Sequence, residues 1–416
     1  MLELADAVLP LIRTRDDVWR YRVANAHGAD MHLGIDILEE AIPAQDPKIV
    51  FDVANRALAS ALKVIARADD SAGIIGDACH RLLKLHPRLA AAANVPPKRL
   101  VVWMMKFQFD GEVDYFHLDP VAYAPALGES GMAQYRQALA DRIASLGARP
   151  SKSERWSSPD SHDWFTIEWN EKRLAVLDRD VARIIETHLG DAKVAAWFED
   201  VAKALAEIGE YDLAIEWAKK ATDFGLDHQS QHAGRYWCEL LAEHHPDQAA
   251  AARMTVFERW PTSSNASSLR KQAGRDWPKY EEQVMTALAR RPYEAVSFAH
   301  HGLGDVSLAW KLANELGLEP TSAWTSLADD YQKIDPLATL PVHRELVEAA
   351  LQIADAKQYR GAARRLATMR KLAAGTEQAA EVDAFVVELR ETHRRRPRLQ
   401  EEFDRTGLPA RPGAPG

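Results

Sequence analysis

Cysteine is scarce in this sequence, and long apolar runs are missing. Only Cys79 and Cys238 occur among 416 residues, so the chain has no disulfide framework of the kind that secreted domains use. No segment approaches the roughly 18 consecutive apolar residues that a transmembrane helix requires. The first residues include Glu3 and Asp6, where a signal peptide has basic residues. These absences predict a cytoplasmic protein.

Sequence motifs of catalysis are missing too. The chain has no Gly-x-Ser-x-Gly elbow, no Gly-x-x-x-x-Gly-Lys-Ser/Thr phosphate loop and no Gly-x-Gly-x-x-Gly fingerprint. Cys79 and His80 are adjacent and would point about 100° apart on a helix. The stretch HHGLGD (His300 to Asp305) is typical of a turn between helices. We therefore expect no enzymatic activity, no catalytic residues and no cofactor.

One histidine-rich segment leaves metal binding open. DHQSQHAGRYWCELLAEHHPD places His228 and His232 one helical turn apart, with Cys238 following, and such residues suit zinc. However, Cys238 follows Trp237 in an apolar stripe, which favours a place in the core. We predict no metal site here.

A second acidic segment superficially resembles a calcium loop. Counted from Asp69, the sixth and twelfth positions hold Ile74 and His80, where an EF-hand needs glycine and an acidic residue. The interpretation that survives is helix capping by Asp69, Asp70 and Ser71.

Apolar residues and helical periodicity are what the sequence does have. Its 47% hydrophobic and 27% charged residues are ordinary for a globular protein. The net charge of −9, from 52 basic and 61 acidic residues, argues against wholesale binding to nucleic acid or anionic membranes. A chain of 416 residues is too long for one core, which predicts two domains or a repeat array.

The clearest unit is a helical hairpin from Val194 to Leu226. Apolar residues recur at three- and four-residue steps in both halves, and Gly209 between them suits a left-handed helix end. A related segment lies 148 positions later, where Tyr359 to Ala362 correspond to Tyr211 to Ala214. Such hairpins are typical of tetratricopeptide-type repeats.

The predicted fold is all-α, with an N-terminal helical domain followed by an irregular tetratricopeptide-like α-solenoid of helical hairpins. The polar segment ARPSKSERWSSPDSH (Ala148 to His162) is the predicted boundary, since it lacks periodicity and is rich in Ser and Pro. The predicted parts are an N-terminal domain over 1–147, a linker over 148–162, a repeat domain over 163–403 and a disordered tail over 404–416.

Several segments together resemble a known family. ARADDSAGIIGDACHRLLKLH, DPVAYAPALGESGMAQYRQAL, GEYDLAIEWAKKA and YRGAARRLATMRKL…LRETHRRRPRL occur in this order. They resemble the helical region that follows the zinc finger in bacterial SWIM-type zinc-finger proteins and in their stand-alone relatives, over about Ala66 to Leu408. A SWIM finger needs three cysteines, so two cysteines mean that the finger is absent here.

Near its end the acidic chain carries an arginine cluster in VVELRETHRRRPRLQEEF. We expect a helix from about Val382 that ends before Pro397, with the arginines as solvated residues of its last turn. The segment from Leu351 to Gln400 contains eleven basic and six acidic residues, and the rest of the chain contains 41 basic and 55 acidic residues. The candidate residues for binding an anionic partner are Arg390, Arg394, Arg395, Arg396 and Arg398.

Stacked hairpins form extended surfaces, and the chain lacks catalytic motifs. We therefore predict a non-enzymatic scaffold for protein–protein interaction, with a protein partner, no membrane and no specific small molecule. The alternative is a nucleic-acid-associated accessory protein that binds through the basic C-terminal end, which the SWIM resemblance favours and the missing finger disfavours.

Overall fold

The fold is all-α, as predicted. The computed structural model describes residues 2–111, 116–151, 158–318 and 322–409, and every regular element in those ranges is helical. The chain divides into two compact units. The first runs to Lys193 and includes Trp197–Ala214, and the second comprises Val194–Ala196 and the chain from Ile215 onward. Within the described ranges, no helix is long and apolar enough to cross a membrane.

The helices follow one another with short connections. The first ten are α1 (Leu2–Ile12), α2 (Tyr21–Ala41), α3 (Pro47–Ile65), α4 (Ile74–Ala92), α5 (Pro97–Phe109), α6 (Pro120–Leu146), α7 (Ser161–Leu177), α8 (Val181–Leu189), α9 (Ala195–Glu207) and α10 (Tyr211–Asp223). The next six are α11 (His228–His244), α12 (Pro246–Arg259), α13 (Ser263–Ala273), α14 (Glu281–Leu288), α15 (Pro292–Ser297) and α16 (Val306–Glu315). The last five described are α17 (Ser322–Tyr331), α18 (Leu340–Leu351), α19 (Ala356–Ala373), α20 (Ala379–Thr392) and α21 (Pro397–Arg405). Single-turn elements lie at Gly274–Lys279, Phe298–Leu303 and Leu337–Thr339.

Local sequence signals set several helix ends. Asp70 accepts hydrogen bonds from the backbone N–H groups of Ile75 (2.9 Å) and Gly76 (2.8 Å), which confirms that this acidic segment caps α4. The predicted hairpin helices are α9 and α10, and Gly209 between them has φ 84°. A left-handed residue there ends α9 at little steric cost because glycine has no Cβ.

The apolar cores succeed one another along the chain. In the first unit, one core lies among α1 to α4 and the next among α4 to α7. In the described part of the second unit, cores span Met254–Phe298, Val296–Val342 and Leu340–Leu408. Consecutive helices such as α11 and α12 or α18 and α19 pack against each other. This succession of local cores is consistent with a helical-repeat fold, while the tetratricopeptide-like character stays a prediction.

Helix α7 belongs to the first unit, although the sequence placed it beyond the linker. Trp164 packs in the same core as Tyr135, and buried Asn170 donates to the Gln108 side chain at 3.0 Å. Buried polar groups must find partners, so this bond fixes α7 against α5 and α6. The compact units therefore do not divide at 148–162. Residues 152–157 of that predicted linker lie outside the described residues.

The sequence predicts a disordered tail from residue 404, whereas the described structure continues to residue 409. Helix α21 continues to Arg405, and Leu408 is 5% exposed in the last core. Residues 404–409 are therefore structured, and an apolar residue two positions beyond Thr406 is what holds them. Residues 410–416 lie outside the described part of the chain.

A buried histidine makes the first unit sensitive to acid. His86 is 1% exposed and stacks on Trp103 with ring centroids 4.3 Å apart. Its Nδ1 lies 2.9 Å from the Tyr123 hydroxyl and its Nε2 lies 3.3 Å from Asn55 Oδ1. Burial lowers the pKa of His86 from 6.5 to about 4, because the charged imidazolium would lose its hydration.

We expect the free energy of unfolding to fall as the pH drops from about 6.5 to about 4. In this range His86 is protonated in the unfolded chain but stays neutral in the folded protein. The contribution of His86 is at most about 3 kcal/mol. Urea titrations across this range should show a flatter pH dependence for His86→Gln than for wild type. His228→Gln, at the exposed start of α11, is the control and should keep the wild-type slope. An equal slope for His86→Gln would contradict the prediction.

Candidate functional site

The arginine cluster lies in a turn between two helices and not in the last turn of one. Helix α20 ends at Thr392, and α21 begins at Pro397. The expectation of a helix extending to Arg396 is therefore wrong. Proline at the first helical position lacks an N–H that would be unpaired there anyway, so Pro397 starts α21. One face of α20 is buried and includes Phe385 and Leu389.

Arg390 is a structural anchor. Its guanidinium donates to Asp404 Oδ1 at 2.8 Å, to the Leu408 carbonyl at 2.8 Å and to Gln400 Oε1 at 3.2 Å. It also lies over the Phe403 ring, 5.4 Å from the centroid. Only 11% of the side chain is exposed. Arg390 therefore fastens α21 and the following turn to α20, and little of its charge reaches solvent.

Arg396 and Arg394 are also engaged within the chain. Arg396 donates to the Leu351 carbonyl at 2.6 Å and lies 5.9 Å from the Tyr359 ring centroid. The hydrogen bond to Leu351 fastens the turn to the end of α18. Arg394 is exposed and pairs with Glu391 at 2.6 Å.

Two arginines of the cluster remain available. Arg395 and Arg398 are exposed, and within the described ranges neither has a hydrogen-bond or ion-pair partner. Arg395 precedes the anchored Arg396 and Arg398 follows Pro397, so both sit at the same turn. The structure therefore splits the predicted site into three engaged arginines and two free ones.

The stronger basic surface lies on α19. This helix contains six basic and no acidic residues. Lys357, Arg364 and Lys371 are all exposed, and the charged group of none of them has a partner among the described residues. Their seven-residue spacing places them on one side of the helix, about 10.5 Å apart along its axis. We call these three residues the α19 basic face.

The other cations of α19 flank this face and are paired. Arg360 lies 3.7 Å from Glu402, Arg365 lies 3.4 Å from Asp329 and Arg370 lies 2.7 Å from Asp383. The opposite side of α19 is buried in the last core and includes Tyr359, Ala362, Ala363, Leu366 and Met369. The neighbouring elements thus neutralise the edges of the helix and leave its outermost row of charges open.

The sequence signal for the α19 basic face was available and overlooked. The excess of basic residues from Leu351 to Gln400 points to this end of the chain, and the densest run of arginines predicts the site at the turn before α21 and not on α19. The informative pattern was the seven-residue repeat of Lys357, Arg364 and Lys371 in a segment without carboxylates. Dense arginines next to Asp404 and free carbonyls became anchors because they had local acceptors.

The candidate metal ligands of the histidine segment differ in their exposure. Cys238 is fully buried in α11, and burial raises the pKa of its thiol to about 11, so the thiolate that zinc requires is disfavoured. His228 and His232 are exposed at the start of α11. Across the described residues, no group of three potential metal ligands comes together.

His300 of the HHGLGD stretch is buried and bonds to a carboxylate, with Nε2 3.0 Å from Asp330 Oδ2. The stretch was interpreted as a turn, but Phe298–Leu303 forms a π-helical turn and Gly304 follows it with φ 72°. A turn does follow, yet the two histidines themselves lie in the helical segment.

Comparison with known families covers nearly the whole chain. The model of a family of unknown function, DUF6880, matches residues 11–399. The chain belongs to this family. No curated protein matches the sequence at a significant level. The description of DUF6880 carries no link to SWIM-type zinc-finger proteins, so that resemblance rests on the quoted segments alone.

The division of the arginines into anchors and free residues can be tested by stability. Arg390→Ala should lower the free energy of unfolding by about 2 kcal/mol, because it leaves Gln400 and the Leu408 carbonyl without their donor. Arg395→Ala, in the same cluster, should change it by less than about 0.5 kcal/mol. Urea unfolding followed by tryptophan fluorescence measures both. Equal effects of the two substitutions would show that Arg390 is not an anchor.

Proposed function

We propose that this member of DUF6880 is a non-enzymatic cytoplasmic scaffold that binds an acidic segment of a partner protein through the α19 basic face. The observation that carries the proposal is the row formed by Lys357, Arg364 and Lys371. These residues are exposed and, in the described part of the chain, their charged groups lack partners, while the flanking cations of α19 are neutralised. A row of unpaired charges of one sign on a rigid helix attracts and orients a partner of the opposite sign.

The size of the row favours a short acidic protein segment. From Lys357 to Lys371 it extends about 21 Å along the helix axis. Outside Leu351–Gln400 the chain carries 41 basic and 55 acidic residues. A long polyanion would therefore meet repulsion beyond this region, whereas a short acidic helix or loop would not. The arrangement of the scaffold as a tetratricopeptide-like solenoid is part of this proposal, since stacked hairpins present such helix faces side by side.

Nucleic-acid binding is the second candidate. The free Arg395 and Arg398 lie at the turn that Arg396 fastens to the end of α18 and places near the Tyr359 ring of α19, and they add two positive charges to this end of the chain. The SWIM resemblance supports the same function. Nucleic-acid binding is disfavoured because the exposed row of α19 contains no aromatic side chain that could stack on bases. Phosphate contacts alone would give binding that weakens steeply with salt.

Charge reversal of the row separates these functions. We expect the variant Lys357→Glu, Arg364→Glu, Lys371→Glu to bind a fluorescent oligoglutamate peptide at least about tenfold more weakly than wild type, a loss of about 1.4 kcal/mol. Fluorescence anisotropy at low salt measures the binding. A duplex DNA of equal net charge, tested in parallel, should bind wild type more weakly than the peptide does.

The matched control reverses the charge of two lysines and one arginine outside α19. Lys63, Arg88 and Lys98 are exposed, and changing them to Glu alters the net charge equally. This control should bind the peptide like wild type. If both triple variants lost peptide affinity equally, the loss would be due to net charge alone, and the α19 basic face would be rejected as the binding site. Tighter, row-dependent binding of the duplex would favour the nucleic-acid candidate, and no binding of either probe would reject both.

A further inference from the structure

A polar cleft in the second unit lies between α13 and the π-helical turn Phe298–Leu303. Its volume is about 420 Å³. The lining residues carry hydroxyl groups or cationic nitrogen atoms, and no carboxylate is among them: Ser263, Ser264, Ser267, Ser268, Lys271, Ser297 and His301. This composition is unlike the mixed charges of the chain as a whole, and it is independent of the α19 basic face.

The cleft depends on close packing of Gly302 against the side chains of Phe298 and Ser267. A Cβ atom on Gly302 would lie 2.4 Å from Phe298 Cδ2 and 2.7 Å from Ser267 Oγ, so only glycine fits at this point of the turn. Arg270 donates to the Gly302 carbonyl at 2.7 Å and ties the turn to α13. π-Helical turns are uncommon in proteins, and those that do occur are frequently found at functional sites.

The cleft offers several hydrogen-bond donors that have no acceptor. The hydroxyl groups of Ser264, Ser268 and Ser297 have no hydrogen-bond partner among the described residues, and Lys271 has no ion-pair partner there. Ser267 is different, because its hydroxyl donates to the Ser263 carbonyl at 2.8 Å. Three hydroxyl groups and one ammonium group are therefore free to donate to a ligand.

His301 is held in place by its neighbour. Buried His300 bonds to Asp330, which also accepts from Lys333 at 2.8 Å. The His301 ring packs on the His300 ring with centroids 4.2 Å apart. The imidazole of His301 thus faces the cleft from a supported position, opposite the serine side of α13.

We propose that this cleft binds the oxyanion of a phosphate monoester. Free hydroxyl, ammonium and imidazole donors line the cleft from α13, α15 and the π-helical turn, and charge-assisted hydrogen bonds to phosphate oxygens are among the stronger polar contacts. No carboxylate is among the lining residues, and Glu294, which accepts a hydrogen bond from the Ser263 N–H at 2.6 Å, lies at their edge. Inorganic phosphate and O-phosphoserine share this chemistry and are the two probes.

The test is a titration of the full-length protein with each probe, followed by isothermal calorimetry. We expect saturable binding to wild type, and at least about a tenfold loss of affinity in the variant Lys271→Met, His301→Gln, which removes both cationic groups. Ser268→Leu keeps both cations but fills the cleft, and it should abolish binding too. Circular dichroism and the melting temperature show whether each variant is folded.

The matched control is Lys279→Met, His228→Gln, which removes one lysine and one histidine from other exposed positions of the same unit. It should bind both probes like wild type. Wild-type affinity in the Lys271→Met, His301→Gln variant would overturn the proposal. So would wild-type affinity in Ser268→Leu, since phosphate would then be held by surface charge and not by the cleft. Absence of saturable binding of either probe to wild type would also overturn it.

Discussion

A helix with one apolar stripe cannot bury that stripe alone, and this constraint organises the whole molecule. Each core in the structure is built by helices that are near neighbours in sequence, from α1–α4 in the first unit to α18–α21 in the second. The last core shows the consequence most clearly. Helix α19 is covered on one side by α18, α20 and α21, so its opposite side has to face solvent. The α19 basic face is exposed because no described helix packs against that side of α19.

The same constraint explains why the arginines near the C-terminus have different roles. Helix α21 is short, with nine residues, and isolated helices of that length are marginal in water. Arg390 and Arg396 fasten it and its preceding turn through side-chain bonds to backbone carbonyls and to Asp404. These charges are therefore used for stability. What is left for a partner is the set of cations that no neighbouring helix reaches.

Much of the helical architecture could be predicted from periodicity. The helices α9 and α10, the buried face of α20 and the capping role of Asp70 follow from local patterns of apolar, glycine and acidic residues. The packing partner of α7 could not be read this way. Its place in the first unit depends on Asn170 meeting Gln108, 62 residues away in sequence, and no local pattern records such a long-range pairing.

The candidate site shows the same limit. Sequence reasoning located the basic end of the chain but not the residues that remain free there, because pairing is decided by acceptors on other helices. Arg390 and Arg395 have the same side chain and lie five positions apart, yet only Arg390 faces the acceptors of α21. The heptad row of α19 was visible in the sequence, whereas its lack of neutralising partners became evident only in three dimensions.

The most direct test of the central claim is lysine labelling read by mass spectrometry. Acetylation rates of Lys357 and Lys371 should fall when the protein is saturated with the oligoglutamate peptide, because the bound carboxylates cover both ammonium groups. The rates of the exposed Lys63 and Lys98 should stay as they are in the free protein. Unchanged rates at Lys357 and Lys371 while the peptide is bound, or protection at Lys63 and Lys98 instead, would contradict the account.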